Sequence, residues 1–200
     1  MICVSMFDKL IVITAPELFE GEAEILNRLF EAGLTRLHLR KLQGRKAAER
    51  LINEIDCNFR KFIAVHYHQD LVSEMELGGM HFSYHASSNP AELSDKYTVS
   101  FSSHSWDELK EVQDKIDYCF MGPVFNSISK VGYLANEALH QVPPFARNVF
   151  ALGGITEANC KEVIDKGYSG VAVLGALWED KNQALQRFKV LHKKLKAYES

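Results

Sequence analysis

The chain has 200 residues, of which 46% are hydrophobic and 24% charged, and its formal net charge is −3. This composition predicts one globular domain over residues 1–200 with a sizeable core, and it does not favour nucleic acid as a partner. No apolar run approaches the roughly 18 residues that a membrane span needs, so we also predict no membrane partner.

Apolar runs of strand length alternate with segments of helical periodicity. In the first helical segment, Leu26, Leu29 and Phe30 recur at helical spacing and Gly33 ends the pattern. Strands are predicted at 10–14, 35–40, 62–65, 80–83, 97–102, 117–121, 148–152 and 170–174. Helices are predicted at 22–32, 44–56, 70–77, 156–167 and 182–197, and another begins after Ser105, with Glu108 completing a capping box. Eight such units predict an α/β fold, a single (β/α)₈ TIM barrel, with an open doubly wound sheet as the alternative.

Apolar and polar residues alternate along the second predicted strand. Leu37 and Leu39 share one face, whereas His38 and Arg40 share the other. We expect the leucines to face the helices and His38 and Arg40 to face the barrel interior.

Four cysteines are spread along the chain without a CxxC pair: Cys3, Cys57, Cys119 and Cys160. This spacing favours reduced thiols over a disulfide framework. Charged residues interrupt the apolar stretch near the beginning of the sequence, which is not typical of a signal peptide. A cytoplasmic location is therefore predicted.

Glycines follow two late strands. Gly153 and Gly154 end the seventh predicted strand, and Gly175 follows the eighth. Glycine lets backbone N–H groups approach an anion closely, and helix N-termini favour negative charge. Consecutive strand–glycine–helix units near the end of such a chain predict a phosphate site.

Polar residues gather where the predicted strands end, which is the edge at which parallel barrels carry their active sites. Six of the eight histidines lie there: His38, His66, His68, His81, His85 and His104. A single strand-end histidine is usually a hydrogen-bonding or surface residue, but the group together indicates a site. The long loop after strand six adds Ser127, Ser129 and Lys130.

The order of these motifs resembles that of the thiamine phosphate synthase/TenI family, from about residue 10 to residue 195. The resemblance depends on Leu37-His-Leu-Arg40, Ser102-Ser-His104, Gly122-Pro-Val-Phe with Ser127-x-Ser129-Lys130, Leu152-Gly-Gly-Ile155 and Gly170-Val-Ala-Val173. It implies a (β/α)₈ barrel of thiamine biosynthesis. The synthases join a hydroxymethylpyrimidine diphosphate to a thiazole phosphate with Mg²⁺, whereas TenI relatives isomerise a thiazole phosphate carboxylate without metal and use a histidine to move the proton.

By this resemblance, Arg40 falls on the arginine that grips the diphosphate and His104 on the proton-transfer histidine. We predict catalytic roles for His104, Lys130 and Arg40. Substrate-binding roles are predicted for His38, His66, Ser102, Ser127, Ser129, Gly153, Gly154 and Gly175.

The two magnesium aspartates of the family are replaced by Tyr67 and Ala86. Mg²⁺ prefers carboxylate and phosphate oxygens, so the synthase reaction would lose much of its electrostatic support. Proton transfer on a thiazole needs only a group that titrates near neutrality, such as His104. We therefore predict a metal-independent thiazole tautomerase without a cofactor. A Mg²⁺-dependent thiamine-phosphate pyrophosphorylase is the alternative.

Two other hypotheses stay open at this point. His66, His68, His81 and His85 could together hold Zn²⁺, although we predict that none of them is a metal ligand. A non-catalytic regulator that binds thiazole or thiamine phosphates is also compatible with the same residues. In each case the predicted partner is a small phosphorylated molecule, and the protein is expected to be a homo-oligomer.

Overall fold

The computed structural model describes residues 8–83, 96–126 and 134–198. Eight parallel strands form a closed barrel in chain order, β1 to β8. They are β1 (Leu10–Ile13), β2 (Leu37–Leu39), β3 (Ile63–Val65), β4 (Gly79–Ser83), β5 (Thr98–Ser103), β6 (Tyr118–Met121), β7 (Val149–Leu152) and β8 (Gly170–Val173). The prediction of a single (β/α)₈ barrel is confirmed, and the open sheet is wrong.

Helices connect the strands on the outside. They are α1 (Glu22–Glu31), α2 (Arg45–Glu54), α3 (Leu71–Glu74), α4 (Trp106–Val112), α5 (Cys160–Asp165), α6 (Gly175–Trp178) and α7 (Ala184–Lys196). Short 3₁₀ helices lie at Cys57–Phe62, Gln113–Lys115, Glu137–Leu139 and Lys181–Gln183. None of the described helices is both long enough and apolar enough to cross a membrane.

The core has two parts, one on each side of the strands. The outer part fills the space between the barrel and the helices, and it contains Leu37 and Leu39. The inner part lies inside the barrel and is built from Ile11, Ile13, Tyr118, Phe120, Phe150 and Ala172. The His38 ring lies 4.5 Å from the Phe120 ring, on the inner side. The predicted orientation of β2 is therefore confirmed.

Register brings three polar side chains of the inner face together. His81 of β4 is paired with Ser100 of β5, and Ser100 is paired with Tyr118 of β6. Because paired residues in a parallel barrel lie side by side in one layer, these three side chains can meet inside the barrel.

Several helix boundaries differ from the prediction. The helix predicted at 156–167 begins only at Cys160, because the Asn159 side chain accepts a hydrogen bond from the Thr156 N–H and folds residues 156–159 into a turn. The Ser105 cap is present, since its hydroxyl accepts from the Glu108 N–H. The Glu108 carboxylate, however, accepts from the N–H of His104 rather than of Ser105.

Candidate active site

A cavity of about 700 Å³ opens at the carboxyl ends of the strands. Its lining includes seven of the predicted site residues: Arg40, His66, Ser102, His104, Gly153, Gly154 and Gly175. The remaining lining is largely apolar, with Phe120, Leu152 and Trp178 among its members. A cavity of this size fits one small ligand, held by a few polar groups in apolar surroundings.

The predicted residues Ser127, Ser129 and Lys130 lie outside the described residues, as do Ala86 and His85. Their roles stay predictions.

His104 is held at the mouth of the cavity by both its backbone and its ring. Its N–H donates to Glu108, and its carbonyl accepts from the Asn136 side chain. The ring nitrogen Nδ1 lies 2.7 Å from the carbonyl oxygen of Gly122. A carbonyl oxygen only accepts, so Nδ1 carries a proton, and in the neutral ring Nε2 keeps its lone pair. The side chain is exposed, and it lines the cavity.

Arg40 supplies the positive charge of the described lining. Its backbone is fixed by the Thr14 hydroxyl, which lies 3.0 Å from the Arg40 N–H. The neighbouring Lys41 does not add to this charge. Its ammonium is buried and paired with Glu22 at 2.6 Å, and neither residue is among those that line the cavity.

Gly153 and Gly154 have φ values of +95° and +65°, which L side chains rarely adopt. A Cβ at Gly154 would lie 2.4 Å from the Asn126 carbonyl oxygen, and one at Gly153 would lie 2.8 Å from Pro123. These glycines are thus required for close packing of the loop after β7 against the loop after β6. Asn159 braces the same turn, since its amide donates to the Gly154 carbonyl at 2.9 Å.

This geometry leaves no room for a side chain at Gly154. We now expect Gly154→Ala to lower the free energy of unfolding by about 1–3 kcal/mol more than Gly21→Ala does, because of the overlap with Asn126. Gly21 is a matched control with φ +78° and no atom within 4 Å of its added Cβ. Urea unfolding of the two variants measures the difference. If both variants lose the same free energy of unfolding, the loops after β6 and β7 move apart at little cost and the overlap with Asn126 does not matter.

Three histidines meet at the inner end of the cavity, and two of them, His66 and His81, line it. His38 is buried and lies 3.0 Å from His66 through Nδ1 and Nε2. His81 stacks on His66, with ring centroids 4.1 Å apart. His38 is absent from the cavity lining, so the position of this side chain does not fit direct substrate contact. Three of its neighbours, His66, His81 and Phe120, line the cavity instead.

Burial lowers the pKa of all three histidines. The pKa values of His38 and His66 fall well below the usual value, and that of His81 falls to about 3. Desolvation is the main cause, and the charge of Arg40 lowers the pKa of His66 and His81 further. The cluster is therefore neutral near pH 7.

The arrangement of these histidines changes which residues could together bind zinc. One ligand nitrogen from each of His38, His66 and His81 lies within 4.8 Å of the others. His68 is not part of the group: the chain has left the strand, and His68 has φ +59°. A dication here would face the nearby Arg36 and Arg40 charges, and the group contains no carboxylate. These charges disfavour a metal ion.

Magnesium also fits the described lining poorly. The only carboxylate among the described lining residues is Glu179, which is paired with Arg187 at 3.5 Å. Tyr67, which by the family resemblance replaces one magnesium aspartate, lines the cavity. Mg²⁺ would thus find one carboxylate instead of the usual set of oxygen ligands.

Tyr118 and Ser100 are functional candidates that the sequence analysis did not identify. Tyr118 donates or accepts a 2.6 Å hydrogen bond with Nε2 of His38, and Ser100 lies 2.9 Å from Nδ1 of His81. The signal available in the sequence was the period-two pattern of β5 and β6, which turns both side chains inward.

Residues 10–177 match the TMP-TENI family model, described as thiamine monophosphate synthase. The chain belongs to this family. The recognised resemblance is thereby confirmed.

Solved and curated relatives agree with this assignment. A crystal structure of thiamine phosphate pyrophosphorylase from Bacteroides thetaiotaomicron is 32% identical in sequence and superimposes with a TM-score of 0.77. The alignment covers 96% of this chain and 99% of that one. A thiamine-phosphate synthase of Caldicellulosiruptor bescii is 29% identical over 78% of this chain and 77% of its own length. One from Koribacter versatilis is 35% identical, but the match spans about half of each chain, 47%.

Proposed function

We propose that this protein is a metal-independent tautomerase that moves a proton on a phosphorylated thiazole carboxylate. The observation that carries the proposal is the hydrogen bond that holds the ring of His104. Its Nδ1 proton is engaged by Gly122 at 2.7 Å, so Nε2 is left as a base at the mouth of the cavity. The imidazole of a histidine can accept a proton and later return it.

The reaction consists of two proton transfers. Nε2 of His104 takes a proton from one ring position, which leaves an imidazolium on the protein and a delocalised anion on the substrate. The imidazolium then returns the proton to another position of the same ring, and the neutral histidine is restored. Charge and atoms balance without a metal ion or a leaving group.

Anion binding is assigned to groups on the other strands around the cavity. Arg40 is assigned to a carboxylate or phosphate because it lines the same cavity as His104 and a guanidinium binds such anions well. The backbone at Gly153, Gly154 and Gly175 is assigned to the phosphate. Lys130 and the hydroxyls of Ser127 and Ser129 are assigned to the same anionic groups, as the family resemblance implies.

A second candidate is the synthase reaction, and the names of the relatives favour it over the isomerase. Both the Bacteroides and the Caldicellulosiruptor proteins carry synthase-type names. The poor set of magnesium ligands in the described lining argues against that reaction here, since Tyr67 replaces a carboxylate.

One preparation of the protein, assayed for both reactions, distinguishes the candidates. We expect isomerisation of the thiazole phosphate carboxylate at the same rate with Mg²⁺ and with excess EDTA, and no thiamine phosphate from the two synthase precursors. Thiamine phosphate formation that stops in EDTA, together with no isomerisation, would establish the synthase instead. Binding of the thiazole phosphate without either reaction would leave the regulator hypothesis.

A further inference from the structure

The loops that follow β1 and β2 are hydrogen bonded to each other at one wall of the cavity. The Leu42 N–H donates to the Pro16 carbonyl at 3.0 Å, and the Leu18 N–H donates to the Gln43 side chain at 2.6 Å. Pro16 and Arg40 both line the cavity. A displacement of one loop from the other would therefore disturb the wall that carries Arg40.

The ammonium of Lys41 binds both the loop after β1 and the start of α1. Its Nζ donates to the carbonyl oxygen of Ala15 at 2.7 Å and to that of Glu17 at 3.2 Å. The two carboxylate oxygens of Glu22, the first residue of α1, lie 2.7 and 2.6 Å from the same nitrogen. Lys41 thus ties three segments of the chain together immediately after Arg40.

The ion pair of Lys41 and Glu22 is fully buried. Burial raises the pKa of Glu22 and lowers that of Lys41, and the attraction between the two groups opposes both shifts. Because desolvation offsets much of this attraction, a buried ion pair contributes little net stability compared with apolar residues of similar size. An apolar pair, however, could not donate to the carbonyls of Ala15 and Glu17. The ammonium therefore matters here for the position of the loop more than for stability.

We propose that Lys41 and Glu22 are positioning residues, which hold Arg40 in place for an anionic group of the ligand. This role rests on the proposed function, because it takes from there the assignment of Arg40 to a carboxylate or phosphate. Neither Lys41 nor Glu22 lines the cavity, so both act through the chain around Arg40. On one side of it the Arg40 N–H donates to the Thr14 hydroxyl at 3.0 Å, and on the other side Lys41 holds the next residue.

Other parts of the lining are held independently of this junction. The Trp178 indole N–H donates to the Ile13 carbonyl at 2.7 Å, and the His104 ring is bonded to the Gly122 carbonyl at 2.7 Å. Loss of the Lys41 hydrogen bonds should therefore change the affinity for an anion at Arg40 and leave these two side chains in place.

A double-variant cycle tests whether Lys41 acts through Arg40. The cycle compares the wild type, Arg40→Gln, the neutral pair Lys41→Met with Glu22→Gln, and the variant that carries all three substitutions. Calorimetry gives the Kd of the thiazole phosphate carboxylate and does not depend on turnover. We expect Arg40→Gln to weaken binding by about 10–100-fold, the usual effect of losing a charge-assisted hydrogen bond. The neutral pair should weaken it by about tenfold through misplacement of the guanidinium.

The decisive protein is the triple variant. It should bind no more than about twofold more weakly than Arg40→Gln, since effects that pass through one residue are not additive. Losses that multiply in the triple variant, or a neutral pair that binds as tightly as the wild type, would overturn the positioning role. If the wild type does not bind this ligand, the cycle is repeated with inorganic pyrophosphate, and binding of neither anion would overturn it too. Binding without isomerisation, by contrast, would count only against the tautomerase reaction.

Arg50→Met with Glu54→Gln is the matched control. It neutralises another ion pair, 2.9 Å long, which is exposed on α2 and lies outside the cavity lining. We expect an unchanged Kd, which would show that removal of an ion pair does not by itself weaken binding. A Kd raised as much as in the neutral pair would contradict a specific role of Lys41.

Gln43→Ala tests the same junction without removing a buried charge. It deletes the exposed hydrogen bond to the Leu18 N–H, so it keeps the proposal testable if the neutral pair does not fold. We expect binding to weaken by about two- to tenfold, the usual effect of one neutral hydrogen bond. In the Arg40→Gln background the same substitution should have no effect. An unchanged Kd in Gln43→Ala, or an equal loss in both backgrounds, would show that the junction does not position Arg40.

Discussion

His104→Asn is expected to lower turnover of the thiazole phosphate carboxylate by about 10²–10⁴-fold, the usual loss when a general acid–base group is removed. The asparagine amide can keep the hydrogen bond to the Gly122 carbonyl that Nδ1 of His104 makes at 2.7 Å. It has no group at the place of Nε2 and does not titrate. The variant therefore separates the bracing role of the ring from its role in proton transfer. Turnover is measured with EDTA present.

Two controls belong to this experiment. His140→Asn changes an exposed histidine outside the cavity lining and should leave turnover unchanged. The thermal unfolding midpoint of His104→Asn should stay close to that of the wild type, because the bond to Gly122 is retained. If His104→Asn keeps turnover within severalfold of the wild type, the ring only braces the start of α4 and the tautomerase mechanism proposed for it is wrong.

The barrel and its inner face could be predicted because their signals are local. Strand-length apolar runs and helical periodicity extend over a few residues each, and the alternation of Leu37, His38 and Leu39 fixes which side chains point inward. Since parallel strands align their carboxyl ends, it also followed that Arg40, Ser102 and His104 would meet.

The internal hydrogen bonds could not be predicted in the same way. His38 and Tyr118 are 80 residues apart, and their bond depends on strand register rather than on any short motif. The zinc hypothesis grouped His66 with His68 by a period of two, but β3 ends at Val65. Beyond a strand end the alternation rule no longer applies, so His68 is directed elsewhere and His38 takes its place in the group.

The role of the glycines could be predicted only in part from the sequence. Their position at strand ends was visible in the sequence, and a phosphate loop was the natural interpretation. The packing of Gly154 against Asn126 is not encoded locally, because it depends on how closely the loops after β6 and β7 approach. The side chain of Asn159, which delays α5 by bonding to Thr156, likewise acts through a turn that no periodicity indicates.

The free energy of unfolding is expected to fall steeply between pH 6.5 and pH 5. His38, His66 and His81 have native pKa values below the ordinary one, with His81 at about 3, whereas in the unfolded chain each returns to about 6.5. Below pH 6.5 the unfolded state therefore binds more protons than the native state, and stability decreases as the pH falls. Each histidine contributes a slope of about 1.4 kcal/mol per pH unit once the pH is well below 6.5, so three give about 4 kcal/mol per unit.

The measurement is urea unfolding at a series of pH values, read as the slope of the free energy rather than its absolute value. The window above pH 5 is chosen because ordinary carboxylates, with pKa values of about 3.9–4.3, contribute little there. His81→Gln should reduce the slope by about one third even if it destabilises the protein, since one of three neutral imidazoles is removed. His140→Asn should leave the slope nearly unchanged, because His140 is exposed and is not part of the buried cluster. A slope in His81→Gln as steep as that of the wild type, or a flat profile in both, would mean that the buried cluster accepts protons in the native state.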